Sequence, residues 1–575
     1  MLRSTRTVVP ITLLLALTGP RTAPAPFAGF VDAYFDSLYA YSPSLGTAAG
    51  FHQYDTVIEN RSATAIAGRV VTLMRQRARL DSLRATRLAT DDSIDAAVLA
   101  GTIRSELLDL EGIQSWRRNP MGYVGLAGNA VDLLMKRSFA PPVARLKSVT
   151  ARLRGVPALL VAMRANVSNP PREFTDLAVR IAGGSVGFFH DDVAKWARES
   201  AGTDTAALRA FTVVNDSVVS AMAAAATWLK TDLLPRSRGS FAIGAQAFAD
   251  KLRYDEMVDI PLDRLLALGE ANLEKDHRAF LATAQEVAPG ATPQHAMALL
   301  EADHPSAATL LPSVRATLEG TRQFLLDHQI VDIPSDVRPI VAETPPYARV
   351  GTFASMDTPG AFERNATEAF YYVTPPEADW DSTHVEEHLR LYNSNVMSVI
   401  TIHEAFPGHY LQFIYARQFP TKTRKLLYAN TNAEGWAHYG EQMMVEEGFG
   451  NRNPRIRLAQ LVEALLRDCR WVAGIKEHTQ GLSVDDAAKQ YFTDRCFQQP
   501  ANAYEEARRG TYDPTYLYYT LGKLAIYKLR ADYRKAKGAA FSLREFHDQF
   551  VRQGGVPITL IRRILLPGDT AAVLD

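Results

Sequence analysis

The chain has 575 residues, of which 47% are hydrophobic and 22% are charged, a composition typical of a globular protein and not of a disordered or fibrous one. Its 63 basic and 63 acidic residues give a net charge of zero. No basic surface is therefore expected that would attract nucleic acid or an anionic membrane, and we predict no nucleic-acid partner.

The first 25 residues have the layout of a secretory signal peptide. Arg3 and Arg6 precede an apolar run over residues 8–17, which is too short to span a bilayer, and small residues follow. No cysteine follows the run, which argues against a lipid anchor, and no other stretch is expected to be a transmembrane helix. We predict a protein exported to the periplasm or secreted, without stable membrane insertion after signal removal. Residues 26–575 would form a single helical domain; the alternative for the N-terminus is a disordered or membrane-resting arm.

Most of the chain shows apolar residues at intervals of three and four with charged residues between them, which indicates amphipathic helices. The clearest segments are 65–88, 263–288 and 456–479, and Ser483 with Asp486 opens a further helix over 483–496 in the manner of a cap. Strand-like runs ending at prolines occur at 338–355 and 369–376. The sequence thus predicts a mainly α fold with a small β element, whose edge could pair with an extended peptide.

Residues 183–187, Gly-Gly-Ser-Val-Gly, fit the G-x-S-x-G motif that presents a nucleophilic serine in α/β-hydrolases. That motif needs a preceding strand and a surrounding sheet, whereas the flanking segments are at least as typical of helix. A serine esterase or hydrolase using Ser185 is therefore one alternative function, and a junction between helices is the structural alternative.

His403, Glu404 and His409 form the first candidate site. In the H-E-x-x-H motif the histidines are four apart and share a helix face, but here they are six apart, about 240° around a straight helix. The two additional residues are Pro407, which breaks a helix, and Gly408, which permits unusual backbone angles. A bend there could turn His409 toward His403 to hold a metal ion; otherwise the segment is an ordinary helix end.

A catalytic zinc ion usually has three protein ligands and one open position. Glu434, His438 and Glu441 are four and three residues apart and share one face of a helix predicted within 424–444. A turn at residues 420–421 would bring that helix back toward the histidines. The position of Glu434 on it favours this residue as the third ligand, although His438 could also serve. Glu404 would then be the general base, passing a proton from the attacking water to the leaving amine.

Residues 505–530 are rich in tyrosine. A phenol near a metal can donate a hydrogen bond to the oxyanion of a tetrahedral intermediate, and an arginine can bind a substrate carboxylate through two hydrogen bonds. For any single tyrosine the alternative is packing in an aromatic helix. The candidates are Tyr516, Tyr518 and Tyr519 as oxyanion donors and Arg509 as a substrate-binding residue.

The two cysteines, Cys469 and Cys496, fit no zinc-finger spacing. They could pair as a disulfide in an exported protein; we expect two buried thiols.

Three motifs together resemble the bacterial family catalogued as domain of unknown function 885. They are His-Glu-x-x-Pro-Gly-His followed by Gln412, Glu-Gly-Trp-Ala-x-Tyr-x-Glu at 434–441, and Arg509 with Tyr-Tyr-Thr-Leu-Gly-Lys at 518–523. The family looks related to the gluzincins, zincin metallopeptidases with a glutamate third ligand. Residues 511–521 also resemble, more loosely, the tyrosine-rich segment of oligopeptidases such as thimet oligopeptidase.

The resemblance implies a large, helical, channel-like zincin-type metallopeptidase fold and one Zn²⁺ per chain, held by His403, His409 and Glu434. The variable position of the second motif falls on His438, which is therefore expected either to lie behind the ligands or to face and bind substrate. Glu441 is expected to orient a histidine ligand.

Taken together, the residues and the resemblance predict an exported zinc-dependent peptidase that acts on short peptides. The rival from another class is a non-catalytic metal- or peptide-binding protein on the same fold. Glu404 argues against that rival, because a binding site has no need of a proton acceptor.

Overall fold

The computed structural model describes residues 26–574 except 346–348, 350–351 and 378–379. The predicted signal peptide lies outside these residues. Helix makes up 71% of the structure, and the strands described form one three-stranded sheet, so the mainly α fold with a small β element is confirmed.

Sixteen α-helices are described before the sheet. They are α1 (Pro26–Tyr41), α2 (Pro43–Ala49), α3 (Ala63–Arg84), α4 (Thr90–Leu107), α5 (Ser115–Arg118), α6 (Met121–Met135), α7 (Pro142–Leu153), α8 (Val156–Asn166), α9 (Arg172–Gly187), α10 (Ala194–Ala201), α11 (Thr205–Trp228), α12 (Leu234–Arg236), α13 (Ala245–Asp255), α14 (Leu262–Val287), α15 (Pro293–Glu301) and α16 (Leu310–His328).

Eleven α-helices are described after the sheet. They are α17 (Ser382–Leu391), α18 (Ser394–Glu404), α19 (His409–Ile414), α20 (Lys422–Leu426), α21 (Asn430–Glu446), α22 (Pro454–Thr479), α23 (Val484–Ala487), α24 (Pro500–Tyr512), α25 (Tyr518–Lys537), α26 (Leu543–Val551) and α27 (Ile558–Leu565). Ser483 caps α23 as predicted, since its side chain accepts a hydrogen bond from the N–H of Asp486.

The sheet lies directly before the helices that carry the candidate site. Its strands are β1 (Ile340–Glu343), β2 (Ala354–Asp357) and β3 (Phe370–Val373), with β3 in the centre, parallel to β1 and antiparallel to β2. The Tyr371 hydroxyl lies 3.2 Å from the Thr401 hydroxyl of α18, and edge strand β2 also contacts α18. The sheet therefore packs against the His-Glu helix.

Separate hydrophobic clusters organise the core. The largest surrounds the sheet with buried residues of α16, α18, α19, α21 and α25–α27. A second is formed by α6–α11, and a third joins α14 to α22–α24. The candidate ligands lie at the edge of the first cluster, which anchors the helices that carry them.

Two expectations about the chain are wrong. Cys469 and Cys496 form a disulfide and are not free thiols. This disulfide ties α22 to the segment before α24. In the described part of the chain, the helical stretch Thr205–Arg236 is long and apolar enough to cross a membrane by length and composition alone, although none was expected. Phe211, Val218 and Met222 of this stretch are buried in the second cluster, so one of its faces packs on neighbouring helices.

The serine hydrolase alternative is also wrong. Ser185 lies inside α9, with no strand before it, and its hydroxyl donates a hydrogen bond to the carbonyl oxygen of Ile181 one turn earlier. A nucleophile elbow needs a sharp turn from strand to helix, which a continuous helix does not provide.

Candidate metal centre

The chain bends between the two histidines. Helix α18 ends at Glu404 and α19 begins at His409, and the Gly408 N–H reaches back to the carbonyl oxygen of Ile402 at 3.0 Å. A Cβ atom on Gly408 would lie 1.7 Å from the carbonyl oxygen of His403, so the turn has room only for glycine. The backbone φ of Gly408 is −69°, outside the left-handed region, so the need for glycine here is argued from the lack of space for a side chain.

The bend brings the two histidines together with Glu434 of α21. One Glu434 carboxylate oxygen, Oε2, lies 3.3 Å from His403 Nε2 and 3.4 Å from His409 Nε2. Ligand atoms about 2.0–2.1 Å from a tetrahedral zinc ion lie about 3.3 Å apart, close to these spacings. The Oε2 atom is buried without a hydrogen bond of good geometry among the described residues. A cation would satisfy it, so the donor set fits zinc.

Glu441 and His438 lie behind the ligands. Glu441 Oε1 is 2.6 Å from His403 Nδ1, which leaves His403 Nε2 directed at Glu434. This is the carboxylate–histidine arrangement that orients zinc-binding histidines. The other Glu441 oxygen lies 3.0 Å from His438 Nδ1. His438 is completely buried and supports Glu441, which agrees with the expected position behind the ligands and not with one that faces substrate.

The charges of the site depend strongly on one another. Burial disfavours the charged form of His403, but hydrogen bonds with Glu434 and Glu441 outweigh it and raise the His403 pKa to about 9. Burial also opposes ionisation of Glu434, yet His409 and His403 hold the Glu434 pKa well below its usual range. Burial and the nearby Lys523 lower the His438 pKa to about 3, so His438 is neutral at physiological pH.

Other contacts fix α21 against the bend. The Trp436 indole N–H donates to the carbonyl oxygen of Pro407 at 2.7 Å. The Gln412 amide of α19 donates to Asn432 of α21 at 2.6 Å. The helix predicted within 424–444 is divided, however, because residues 427–429 are extended between α20 and α21.

Helices α21 and α25 touch through their backbones. A Cβ atom on Gly435 would lie 2.5 Å from Gly522 Cα, and one on Gly522 would lie 2.0 Å from the Thr431 carbonyl oxygen. Glu434 precedes the first glycine directly, and Tyr519 lies one turn before the second. The close contact therefore sets the distance between a ligand and a candidate oxyanion donor.

Glu404 and Tyr519 are the candidate reacting groups nearest to the ligands. Glu404 is the last residue of α18, adjacent to His403, and its side chain is mostly buried. The Tyr519 ring centroid lies 6.3 Å from that of His403. Burial and the Glu434 carboxylate raise the Tyr519 pKa, although Arg509 and Arg470 oppose the shift. The Tyr519 hydroxyl therefore keeps its proton and can donate it in a hydrogen bond.

The other two tyrosines make different contacts. The Tyr518 hydroxyl donates to Asp513 at 2.7 Å, while its ring packs 4.8 Å from that of Tyr519. Tyr516 is fully buried against Gly474 of α22, with its hydroxyl beside Gly510. The contacts described for Tyr516 are with Gly474, Gly510 and the Glu506 carbonyl oxygen, and its role as an oxyanion donor stays a prediction.

Three arginines surround the Tyr519 ring, and two of them were not predicted. The guanidinium carbons of Arg467, Arg470 and Arg509 lie 5.9, 5.1 and 5.9 Å from the ring centroid. Arg467 and Arg470 belong to α22, where charged residues interrupt the apolar stretch from Leu465 to Ala473. Charges in a helix segment that is otherwise buried were the signal that could have identified them.

Comparison with known proteins identifies the class to which this fold and site belong. The family described as "Bacterial protein of unknown function (DUF885)" matches residues 43–565. The chain belongs to this family. No curated protein is significantly similar to it.

Two solved structures share the fold. A protein of Shewanella oneidensis, provisionally described as a lipoprotein of unknown function, is 27% identical, with a TM-score of 0.77 over 94% of this chain and 100% of that chain. A protein of Colwellia psychrerythraea, also provisionally described as a lipoprotein, is 15% identical, with a TM-score of 0.78 over 94% of this chain and 99% of that chain. The likeness to the second concerns the fold alone.

Proposed function

We propose that the protein is an exported zinc peptidase, related to the gluzincins, that hydrolyses short peptides. The observation that carries this proposal is the convergence of His403, His409 and Glu434 around one buried carboxylate oxygen, with Glu441 behind His403. Two of the three separations between the ligand atoms match those around a tetrahedral zinc ion, and all three atoms lie within 4.8 Å of one another.

A zinc ion held there would lower the pKa of a water molecule and polarise the substrate carbonyl. Glu404 accepts the proton of the attacking water and returns it to the leaving amine. Tyr519 donates its hydroxyl hydrogen to the oxyanion that forms on the substrate carbonyl. Edge strand β2, in contact with α18, is the strand with which an extended peptide would pair in this proposal.

Two observations support export. The Cys469–Cys496 disulfide is a feature that persists in oxidising compartments. The Shewanella oneidensis relative, 27% identical, is provisionally described as a lipoprotein, a class of exported proteins. Together with the signal-like N-terminus, they favour the periplasm or the cell exterior.

The direct test is metal analysis of the purified protein combined with digestion of a mixed peptide library read by mass spectrometry. We expect about one zinc per chain and cleavage of peptide bonds that a chelator abolishes and added zinc restores. A chain that binds zinc but cleaves no peptide would favour the rival, a non-catalytic binding protein.

Glu404→Gln is the sharpest single variant for this mechanism. It should keep the zinc and the fold but lower kcat by about 10²-fold or more, because the amide cannot accept the proton of the attacking water. Zinc content, melting temperature and kcat are measured on the same preparation. Near-normal turnover in this variant would remove Glu404 from the mechanism.

A further inference from the structure

The arginines around Tyr519 are not equivalent. Arg470 is buried and forms a two-point contact with Glu506 at 2.7 and 2.8 Å. Arg467 is also buried and contacts Glu463. Both guanidinium groups are therefore neutralised by partners within the protein.

Arg509 is the arginine that remains open to a ligand. Its side chain is 33% exposed, and its Nη2 donates to the Tyr519 hydroxyl at 3.1 Å. The nearest carboxylate oxygen, Asp513 Oδ2, is 3.5 Å away and already accepts the Tyr518 hydroxyl at 2.7 Å. A guanidinium has five N–H donors, so most of those of Arg509 are unused among the described residues.

The position of Arg509 limits what it can bind. Tyr519 links it to the ligand cluster, since the Tyr519 hydroxyl contacts Arg509 and its ring lies 6.3 Å from that of His403. An extended residue spans about 3.3–3.6 Å. A carboxylate bound at Arg509 would therefore lie only a few residues from the bond at the metal.

The surrounding charges also distinguish the two ends of a peptide. An α-amino group would need a carboxylate beside Tyr519 that has no cation next to it, but Glu506 is bound by Arg470 and Asp513 lies 3.5 Å from Arg509. An α-carboxylate would find the open face of Arg509, which can accept it in a two-point contact.

We infer that Arg509 binds the C-terminal carboxylate of the substrate, so that the protein is a carboxypeptidase that cleaves within a few residues of the C-terminus. This inference rests on the proposed peptidase function. Each turnover consumes one water molecule and yields a shortened peptide and the released amino acid or short peptide.

The test uses one N-acetylated peptide made with a free C-terminal carboxylate and with a C-terminal carboxamide. The zinc-loaded protein should cleave the peptide with the free carboxylate (the acid) near its C-terminus. It should cleave the peptide with the carboxamide (the amide) with a kcat/KM about 10–100-fold lower, as expected for losing hydrogen bonds to a charged group. Arg509→Met should lower cleavage of the acid to the level of the amide and change the amide little. Arg509→Lys, which keeps the charge but not the planar pair of donors, should fall between them.

Arg180→Met is the matched control. Arg180 lies on α9 and is 40% exposed. It pairs with Glu505, which lies on α24, the helix that carries Arg509. The Arg180→Met variant should preserve the preference for the acid.

Equal cleavage of acid and amide by the unaltered protein would overturn the inference while leaving the peptidase function intact, and so would cleavage mainly at internal or N-terminal bonds. A matching loss for both peptides in Arg509→Met would also overturn it, since Arg509 would then only position Tyr519. If Arg509→Met does not fold, the comparison of acid and amide cleavage by the unaltered protein decides whether the inference holds. Failure of the zinc-loaded protein to cleave any library peptide would instead refute the proposed function.

Discussion

At the scale of single residues, the main question is which side chain of α21 completes the candidate metal site. Glu434 and His438 are one turn apart, and the sequence alone allowed either. The structure directs Glu434 at the two histidines and directs His438 Nδ1 at Glu441. The two residues have different roles because α21 packs against neighbours on several sides, so that residues four apart on it contact different partners.

Zinc content separates these roles. His403→Ala and Glu434→Ala should each lose the zinc ion, because removing one of three ligands weakens binding severely. His438→Gln should retain about one zinc per chain, with at most a modest loss of affinity. Inductively coupled plasma mass spectrometry after gel filtration measures this, with circular dichroism to verify the fold. Zinc lost from the His438 variant but kept in the Glu434 variant would exchange the two assignments.

At the scale of secondary structure elements, the turn between α18 and α19 decides whether the site exists. Periodicity and the Pro-Gly pair were enough to predict a bend there, because both are local properties of the chain. The same locality explains why the helix predicted over 263–288 agrees with α14 at Leu262–Val287 within a residue at each end.

The division between α20 and α21 could not be predicted in this way. The Ala429 N–H donates to the Gly555 carbonyl oxygen at 2.6 Å, and the buried Glu256 carboxylate accepts the N–H groups of Asn430 and Thr431. These partners are more than a hundred residues away in sequence. They start α21 by satisfying its first N–H groups, which no pattern within 424–444 reveals. Arg467 and Arg470 were not predicted beside Tyr519 for the same reason, since α22 meets α25 only in the folded chain.

Gly408→Ala tests the turn. The added methyl group would overlap the His403 carbonyl oxygen, so the backbone must shift, at a cost of about 1–3 kcal/mol or more. We expect a lower free energy of unfolding and a loss of zinc, because the shift moves His409. Chemical denaturation and metal analysis measure the two effects.

Gly183→Ala in α9 is the control for that variant. A Cβ atom at Gly183 would meet nothing within 4 Å, and the substitution lies within a helix. It should stabilise the protein by about 0.5–1 kcal/mol and leave zinc unchanged. A Gly408→Ala protein with full zinc and unchanged stability would show that the turn tolerates a side chain.

At the scale of the whole molecule, one covalent link joins helices that support the site. The Cys469–Cys496 disulfide closes a loop with a sequence separation of 27 residues. Cys469 lies on α22 between Arg467 and Arg470, two of the three arginines around Tyr519. The link therefore stabilises the wall of the site as well as the helical core.

Replacing both cysteines with alanine should lower the free energy of unfolding by about 2–4 kcal/mol, as expected for a loop of this length. Denaturation curves with and without a reductant supply the control. The reductant should destabilise the unaltered protein by a similar amount and leave the double variant unchanged. Identical curves for the unaltered protein in both conditions would mean that the two thiols are not bonded.

The glycine contact between α21 and α25 has a consequence for how the protein can move. With Gly435 against Gly522, no layer of side chains separates the two helices that could slide or be repacked. Glu434 and Tyr519 are therefore expected to move as one rigid body. If the proposed function holds, their separation should be the same before and after a peptide binds, and closure around the substrate should come from another wall of the site, such as edge strand β2 with its sheet.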